Sequence, residues 1–560
     1  MTKEHQADQY AGTPEGPFGS EGHPKRWAIL GVLVVSLLIV VLDNTVLNIA
    51  LPTIQRDLGA SQSQLLWAVD SYQLVFAALL FTWGVLGDTY GRKKILIIGL
   101  VIFMFASAGC AFSNSPAQLI SLRALMGVGG AAVTPVTLAI ITVVFPPKER
   151  GKAIGTWAAS VGAAVALGPI LGGLLLENPS WTNGITGNDW GSVFLINVPI
   201  VIIGIVGILR VVPETKNPEP QRLDIPGLLI SIAGLVALVY GIIHAGAIHK
   251  FVDKDVIGWV LLGLGLLALF FYLEKRSDHK SFDVTLFSNR PYAISLTAVS
   301  LAFFALSGIT FTLPFYLQII RDYSTLMAGL AFVPFALGQI VAAPRSAKMV
   351  ARFGNRNVMT FGLALVGIAL LGMTRLEVST PIWGALLIFF CFGAGMGNVI
   401  APASTVMQNA LPLSRAGSGS AVQNTVRQVF GALGVAVLGT ILSNAYARNL
   451  QPTLSSSTLP LSPEVRESLK SSVAAIKPVT GKLLEDAMHG NSPIPQMQVF
   501  ASSVGRLRMG AFDSFVSASH HVAAISSTII FLVAFIVFHG LPANLGKTEE
   551  ASEEQSELAD

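Results

Sequence analysis

The chain has 560 residues, 52% of them apolar and 12% charged, with 54 glycines and a formal net charge of +4. A water-soluble globular domain has about a quarter of its residues charged, so this composition excludes one and leaves an integral membrane protein. The two cysteines, Cys110 and Cys391, lie inside apolar runs, which argues against a disulfide framework.

Residues 1–26 read as a polar tail without the apolar core of a cleavable signal. The first apolar run, 27–52, reads WAILGVLVVSLLIVVLDNTVLNIALP. It is long enough to cross a hydrocarbon core roughly 30 Å thick. Asp43 falls well inside it, where an ionised side chain costs at least about 2.5 kcal/mol. With Asn44, Thr45 and Asn48 it forms a polar arc that must face protein or a water-filled cavity.

Thirteen further runs follow, near 64–87, 95–112, 117–145, 152–176, 192–212, 224–248, 256–273, 292–318, 326–350, 358–375, 382–411, 418–445 and 519–540. The fold expected is therefore an all-α integral membrane protein of fourteen spans. Even-numbered connections hold basic groups such as Arg92, Lys93, Lys94, Lys148, Arg210, Arg276 and Arg356, whereas short odd ones hold only Arg56, Lys250, Lys254, Arg321 and Arg375. Basic residues stay on the cytoplasmic side, so both termini are expected there. The long connection 446–518 is then external and reads equally as a cap or as inert filler, and 541–560 is an acidic cytoplasmic tail.

Three echoes recur at a near-constant offset and in chain order. Leu51-Pro52 returns as Leu313-Pro314, Gly91-Arg92-Lys93 as Gly354-Asn355-Arg356, and Gly130-x4-Pro135 as Gly397-x4-Pro402. Such a pattern predicts a parallel six-helix repeat. The domains expected are a first half at 27–212, two inserted helices within 213–285, and a second half at 286–540.

Several motifs sit on this frame. The loop after span 2 reads GVLGDTYGRKKIL, in which Gly84 and Gly91 permit a tight turn and Asp88 can meet Arg92, Lys93 or a helix end. Span 4 carries an intramembrane Arg123 before Gly127, Gly129 and Gly130, glycines that let a neighbouring helix approach closely. Arg123 is placed either to pair inside the bundle or to snorkel. Span 5 carries Gly155, Gly168, Pro169, Gly172 and Gly173; the proline bends the helix and the glycines offer a smooth packing face. On span 2, Trp67, Asp70 and Gln73 follow at i, i+3 and i+6, which puts Asp70 at a depth similar to Asp43 and Arg123. On span 9 of the chain, Ser300, Phe304, Ser307 and Phe311 form a stripe of hydroxyls and rings. It suits either planar or cationic ligands or ordinary helix packing. Arg427 lies near mid-membrane in span 13, free to meet a ligand or backbone carbonyls.

The loop Gly84–Leu96 resembles the signature loop of the major facilitator superfamily, with Gly87 and Thr89 in place of the more usual residues. LRALMGVGGAA at 122–132 resembles that family's second motif, and the glycine–proline pattern of span 5 resembles the antiporter motif of its exporters, with Ala164 at the middle glycine. LDNTVLNIALP and WAVDSYQL resemble the fourteen-helix drug:proton antiporter branch. The resemblance implies export of amphipathic or cationic compounds in exchange for protons, by alternating access across a bacterial inner membrane. Asp43, Asp70 and Arg123 would handle the proton, since burial favours a protonated carboxyl and a nearby guanidinium an ionised one. Gly84, Asp88, Gly91, Arg92 and Lys93, with the span 5 glycines and Pro169, would serve conformational change, and Asn44, Asn48, Trp67, Gln73, the span 9 stripe and Arg427 would line the cargo cavity.

The partners expected are the lipid bilayer, a small amphipathic molecule and protons, with a monomer as the working unit and no nucleic acid. No phosphate-binding loop, catalytic set, cofactor motif or metal-ligand spacing stands out. A dedicated exporter of one endogenous lipid, metabolite or antibiotic is the alternative expectation. Proton-driven uptake is disfavoured by span 5, and a membrane receptor or lipid-processing enzyme would need intramembrane polar residues that move no protons.

Overall fold

The computed structural model describes residues 21–216, 224–248, 250, 252–276, 284–409, 416–489 and 494–542. Every regular element is helical: α1 (Arg26–Leu58), α2 (Gln62–Tyr90), α3 (Arg92–Ala111), α4 (Pro116–Val144), α5 (Pro147–Glu177), α6 (Asn197–Val211), α7 (Ile225–Ala247), α8 (Lys254–Arg276), α9 (Arg290–Phe315), α10 (Val333–Met373), α11 (Ile382–Asn409), α12 (Ala416–Ser455), α13 (Pro463–Ser471), α14 (Ile476–His489) and α15 (Ile494–Gly540), with short turns between. The all-helical membrane architecture expected from the apolar runs is therefore present.

The count of spans is coarser than fourteen. Among the described residues eleven helices are long and apolar enough to cross a membrane, or twelve with α2 taken as one bent span. Two runs separate in the sequence, 326–350 and 358–375, here belong to one helical stretch, Thr325–Met373. Inside it Gly354 leaves helical geometry at φ 80° and ψ 157°. In α5 the stretch that is long and apolar among the described residues is its second half, Leu167–Glu177.

Backbone contacts divide the chain into two compact units. The first comprises Met1–Ala50, Trp67–Val236 and Gly263–Asp283; the second comprises Leu51–Leu66, Ala237–Leu262 and Val284–Asp560. In the first unit α3 packs on α4 through glycines rather than large side chains. A methyl group on Gly129 would meet the carbonyl of Gly99 and the amide of Phe103, each at 2.5 Å, so the two backbones touch where only glycine fits. In the second unit α10 packs on α11, and α9 on α12 and α15. There Gly434 of α12 presses on the Phe304 backbone of α9, and Gly308 of α9 on Leu438 of α12.

Gly91 adopts φ 112° and Gly354 adopts φ 80°, a region that favours glycine.

The connection 446–518 is largely helical among the described residues. α12 runs on to Ser455 and α15 begins at Ile494, so much of the expected loop is helix, with α13 and α14 between. α15, with 47 residues, is about twice the length a bilayer core requires. Thr453 of α12 lies against Gly510 of α15, and Asn449 donates to Ser517 Oγ at 3.2 Å. Leu469, Val473 and Ile476 are buried, and Ser472 Oγ donates to Gln55 Oε1 at 2.8 Å. At the same edge Lys477 forms an ion pair with Asp322.

Candidate functional site

The polar arc of α1 faces the interior of the first unit. Asp43 is 1% exposed and Arg123 is fully buried, and Arg123 Nη1 donates to Asp43 Oδ2. Arg123 therefore pairs inside the protein, and snorkelling is ruled out. Its other nitrogens are also used: Nη2 donates to Asn44 Oδ1 at 3.3 Å and Nε to the Ala68 carbonyl at 3.1 Å. The guanidinium carbon sits 4.4 Å above the centre of the Tyr72 ring, a cation–π contact in a desolvated place.

The second oxygen of Asp43 belongs to a helix the sequence did not flag. Asn197 Nδ2, at the start of α6, donates to Asp43 Oδ1 and to Ser107 Oγ, both at 3.0 Å. Ser107 Oγ in turn donates to the Phe194 carbonyl at 2.8 Å. A buried ion pair is tolerated only where its remaining hydrogen-bonding capacity is met, and these neighbours meet it. Asn197, Ser107 and Tyr72 are thus members that sequence reading missed. Asn197 was the most legible of them, a lone amide entering an apolar span.

Asp70 is different. It is fully buried, yet neither carboxylate oxygen has a hydrogen-bond partner among the described residues. Its neighbour Ser71 is engaged, donating to the Ile120 carbonyl at 3.1 Å. Trp67 and Gln73, expected on the same face, are only half-buried, as are Asn44 and Asn48 on α1. The two acids therefore share a unit but not a surrounding: one is clasped, the other unpartnered.

α5 bears directly on this cluster. Gly168 lies against Thr45, and a side chain on Gly172 would meet Val46 at 3.1 Å, so the glycine face packs on the α1 segment that carries Asp43. Pro169 and Gly173 are buried beside it. Gly155 is helical, while its packing falls outside the described residues.

In the turn between α2 and α3, Asp88 accepts from Arg92 Nε at 2.9 Å and from Arg92 Nη2 at 2.8 Å. Glu214, another residue sequence reading missed, caps α3 by accepting from the Lys93 and Lys94 amides at 3.0 and 3.2 Å. A methyl group on Gly91 would meet the Glu214 carboxylate at 2.7 Å, which is why this turn needs glycine, whereas Gly84 sits at ordinary distance from Pro135.

The stripe on α9 is mostly spent on packing. Phe311 is fully buried and its ring centre lies 5.9 Å from that of Phe315. Phe304 is buried where Gly434 presses, and Ser300 is buried with no partner for its hydroxyl among the described residues. Only Ser307 is half-buried. Arg427 is half-buried, its guanidinium carbon 4.9 Å from the Phe303 ring centre. Among the described residues no group of three or more His, Cys, Asp or Glu converges as a metal site.

Comparison with known proteins agrees with this architecture. The family model described as Major Facilitator Superfamily matches residues 33–435. The puromycin resistance protein pur8 of Streptomyces alboniger is 36% identical over 434 residues, covering 76% of this chain and 84% of that protein. The multidrug efflux pump LfrA of Mycolicibacterium smegmatis is 33% identical over 438 residues, covering 78% and 85%. Among solved structures, a bacterial homolog to the human lysosomal transporter Spinster superposes with a TM-score of 0.60 at 17% identity, over 92% of this chain and 98% of that one. That likeness concerns the fold.

Proposed function

The chain belongs to the Major Facilitator Superfamily, and on that premise we propose that it is a proton-coupled antiporter exporting amphipathic or cationic compounds. The observation that carries the reading is the pairing of one clasped and one unpartnered buried acid in the first unit, Asp43 and Asp70. Removing an unpaired carboxylate from water costs several kcal/mol, so Asp70 has use for a proton or for a cationic cargo, and the two uses exclude each other. Asp43 releases Arg123 only when the helices holding Asn197, Ser107 and Ala68 move, which couples protonation to conformation. The glycine face of α5 against Thr45 and Val46 supports a seal close to the acids, and resistance or efflux names among relatives support export.

In this reading fourteen spans are arranged as two six-helix repeats, 27–212 and 286–540, with an inserted pair within 213–285. The break at Gly354 inside a 49-residue apolar run and the apolar second half of α5 support that count. The bias of basic residues supports cytoplasmic termini in the cytoplasmic membrane of a bacterium, and alternating access by a monomer completes the scheme. A second reading, a dedicated exporter of one compound, is favoured by the relative named for puromycin alone.

The test is dye efflux from a pump-deficient host expressing the full chain. Efflux of several unrelated cationic dyes that stops on addition of a protonophore is expected. Efflux indifferent to the protonophore sinks proton coupling, and transport of a single compound selects the second reading.

A further inference from the structure

A cavity, distant in chemistry from the buried acids, lies where three helix ends of the first unit meet. It measures about 420 Å³ and is lined by His23, Lys25, Lys93, Leu209, Arg210 and Pro213 with their neighbours. These residues flank the start of α1 at Arg26, the start of α3 at Arg92 and the end of α6 at Val211. Three of the lining groups are cationic and none is a carboxylate.

Two acids nearby are already committed. The Glu214 carboxylate faces the amides of Lys93, Lys94 and Thr215, and Glu149 holds Arg26 at 2.7 Å. Lys93 Nζ donates to the Leu209 carbonyl at 3.0 Å, which fixes the ammonium at the cavity wall with further donors to offer. His23 Nδ1 accepts from the Lys25 amide at 3.1 Å, which leaves Nε2 to carry the proton in the neutral ring. Burial, and then Lys25, hold His23 below its ordinary value.

The apolar surroundings say what kind of anion fits. Ile202, Ile203, Val206 and Leu209 form an exposed apolar strip along α6 that ends at this cavity. Trp27, also exposed, stands at the same edge, as aromatic side chains do at a membrane interface. A free anion has no use for such a strip, whereas a phospholipid lays its acyl chain on it and its headgroup among the cations.

We propose that this cavity is a binding site for the phosphate headgroup of an anionic phospholipid from the surrounding bilayer, held by Lys25, Lys93 and Arg210. None of its groups touches Asp43 or Asp70 in the contacts described above, while Lys93 belongs to the Gly84–Leu96 motif that the antiport reading uses for conformational change.

The experiment titrates phosphatidylglycerol and, separately, phosphatidylcholine of the same acyl chains onto the detergent-purified full chain, with native mass spectrometry as the readout. A preference for phosphatidylglycerol is expected. Lys25→Gln with Arg210→Gln should weaken its binding about thirty-fold, at about tenfold per 1.4 kcal/mol and about 1 kcal/mol for each basic group, and leave phosphatidylcholine unchanged. Lys25→Arg with Arg210→Lys should retain the preference. If the double glutamine variant aggregates, Arg210→Gln alone should weaken binding about fivefold. Equal binding of the two lipids, an unchanged affinity in a folded glutamine variant, or displacement of the lipid by inorganic phosphate at millimolar concentration each overturns the proposal, the last in favour of a free-phosphate site.

Discussion

At the scale of residues, Asp43 and Asp70 show how alike two carboxylates look in a sequence and how unlike they are in place. Asp43 is one member of a satisfied set, so Asp43→Asn leaves Arg123 buried without its counter-charge. Such a break costs about 3–5 kcal/mol, and a fall in melting temperature and in folded yield is expected. Asp70 gives up no hydrogen bond when changed to asparagine. Asp70→Asn should therefore melt close to the unaltered protein while proton-driven dye transport in proteoliposomes falls by more than tenfold. Transport driven undiminished by a pH gradient in Asp70→Asn would remove Asp70 from the coupling scheme. Arg123 is also not replaceable by lysine, since its three nitrogens serve Asp43, Asn44 and the Ala68 carbonyl at once.

Among elements, the contact between α1 and α5 carries the sharpest expectation. Gly168 lies so close to Thr45 that an added methyl group has no room. Gly168→Ala should push the helices apart, leaving a protein that leaks protons or fails to pump. The pair Gly168→Ala with Thr45→Gly removes the obstruction and should recover part of the activity, measured as dye efflux under equal expression. Absence of any recovery would mean that the glycine matters for something other than this approach. Motif spacing announced that α5 packs closely on a neighbour, but not that the neighbour was the very turn of α1 next to Asp43. Helix periodicity says which residues share a face; it does not say which helix that face meets. The α9 stripe makes the same point, for its rings turned out to be packed between helices rather than presented to a cavity.

For the molecule as a whole, the helix Ile476–His489 is tied down by a contact that acid should loosen. Lys477 donates to Asp322 and so holds that carboxyl below its ordinary value of 3.8. A lowered carboxyl supplies stability that is fully present above the ordinary value and is lost as pH falls below it. Hydrogen exchange in Ile476–His489, corrected for intrinsic rates, should thus be steady from pH 7 to 5 and rise below about pH 4. In Asp322→Asn that rise should be absent, and a rise of equal size there would assign the acid response to another group.

Composition and the run of apolar segments were enough to announce an all-helical membrane protein, because both follow from the cost of placing polar groups in hydrocarbon. The same linear pattern carried the family motifs, whose glycines and proline act locally. Partners brought from far along the chain were beyond it: Asn197 and Ser107 on Asp43, Glu214 over the start of α3, Ser472 against Gln55. Those pairings depend on which helices become neighbours, and a polar residue in an apolar run states only that it needs a partner. Packing decides which one it receives, and so separates the acid that is held from the acid that is not.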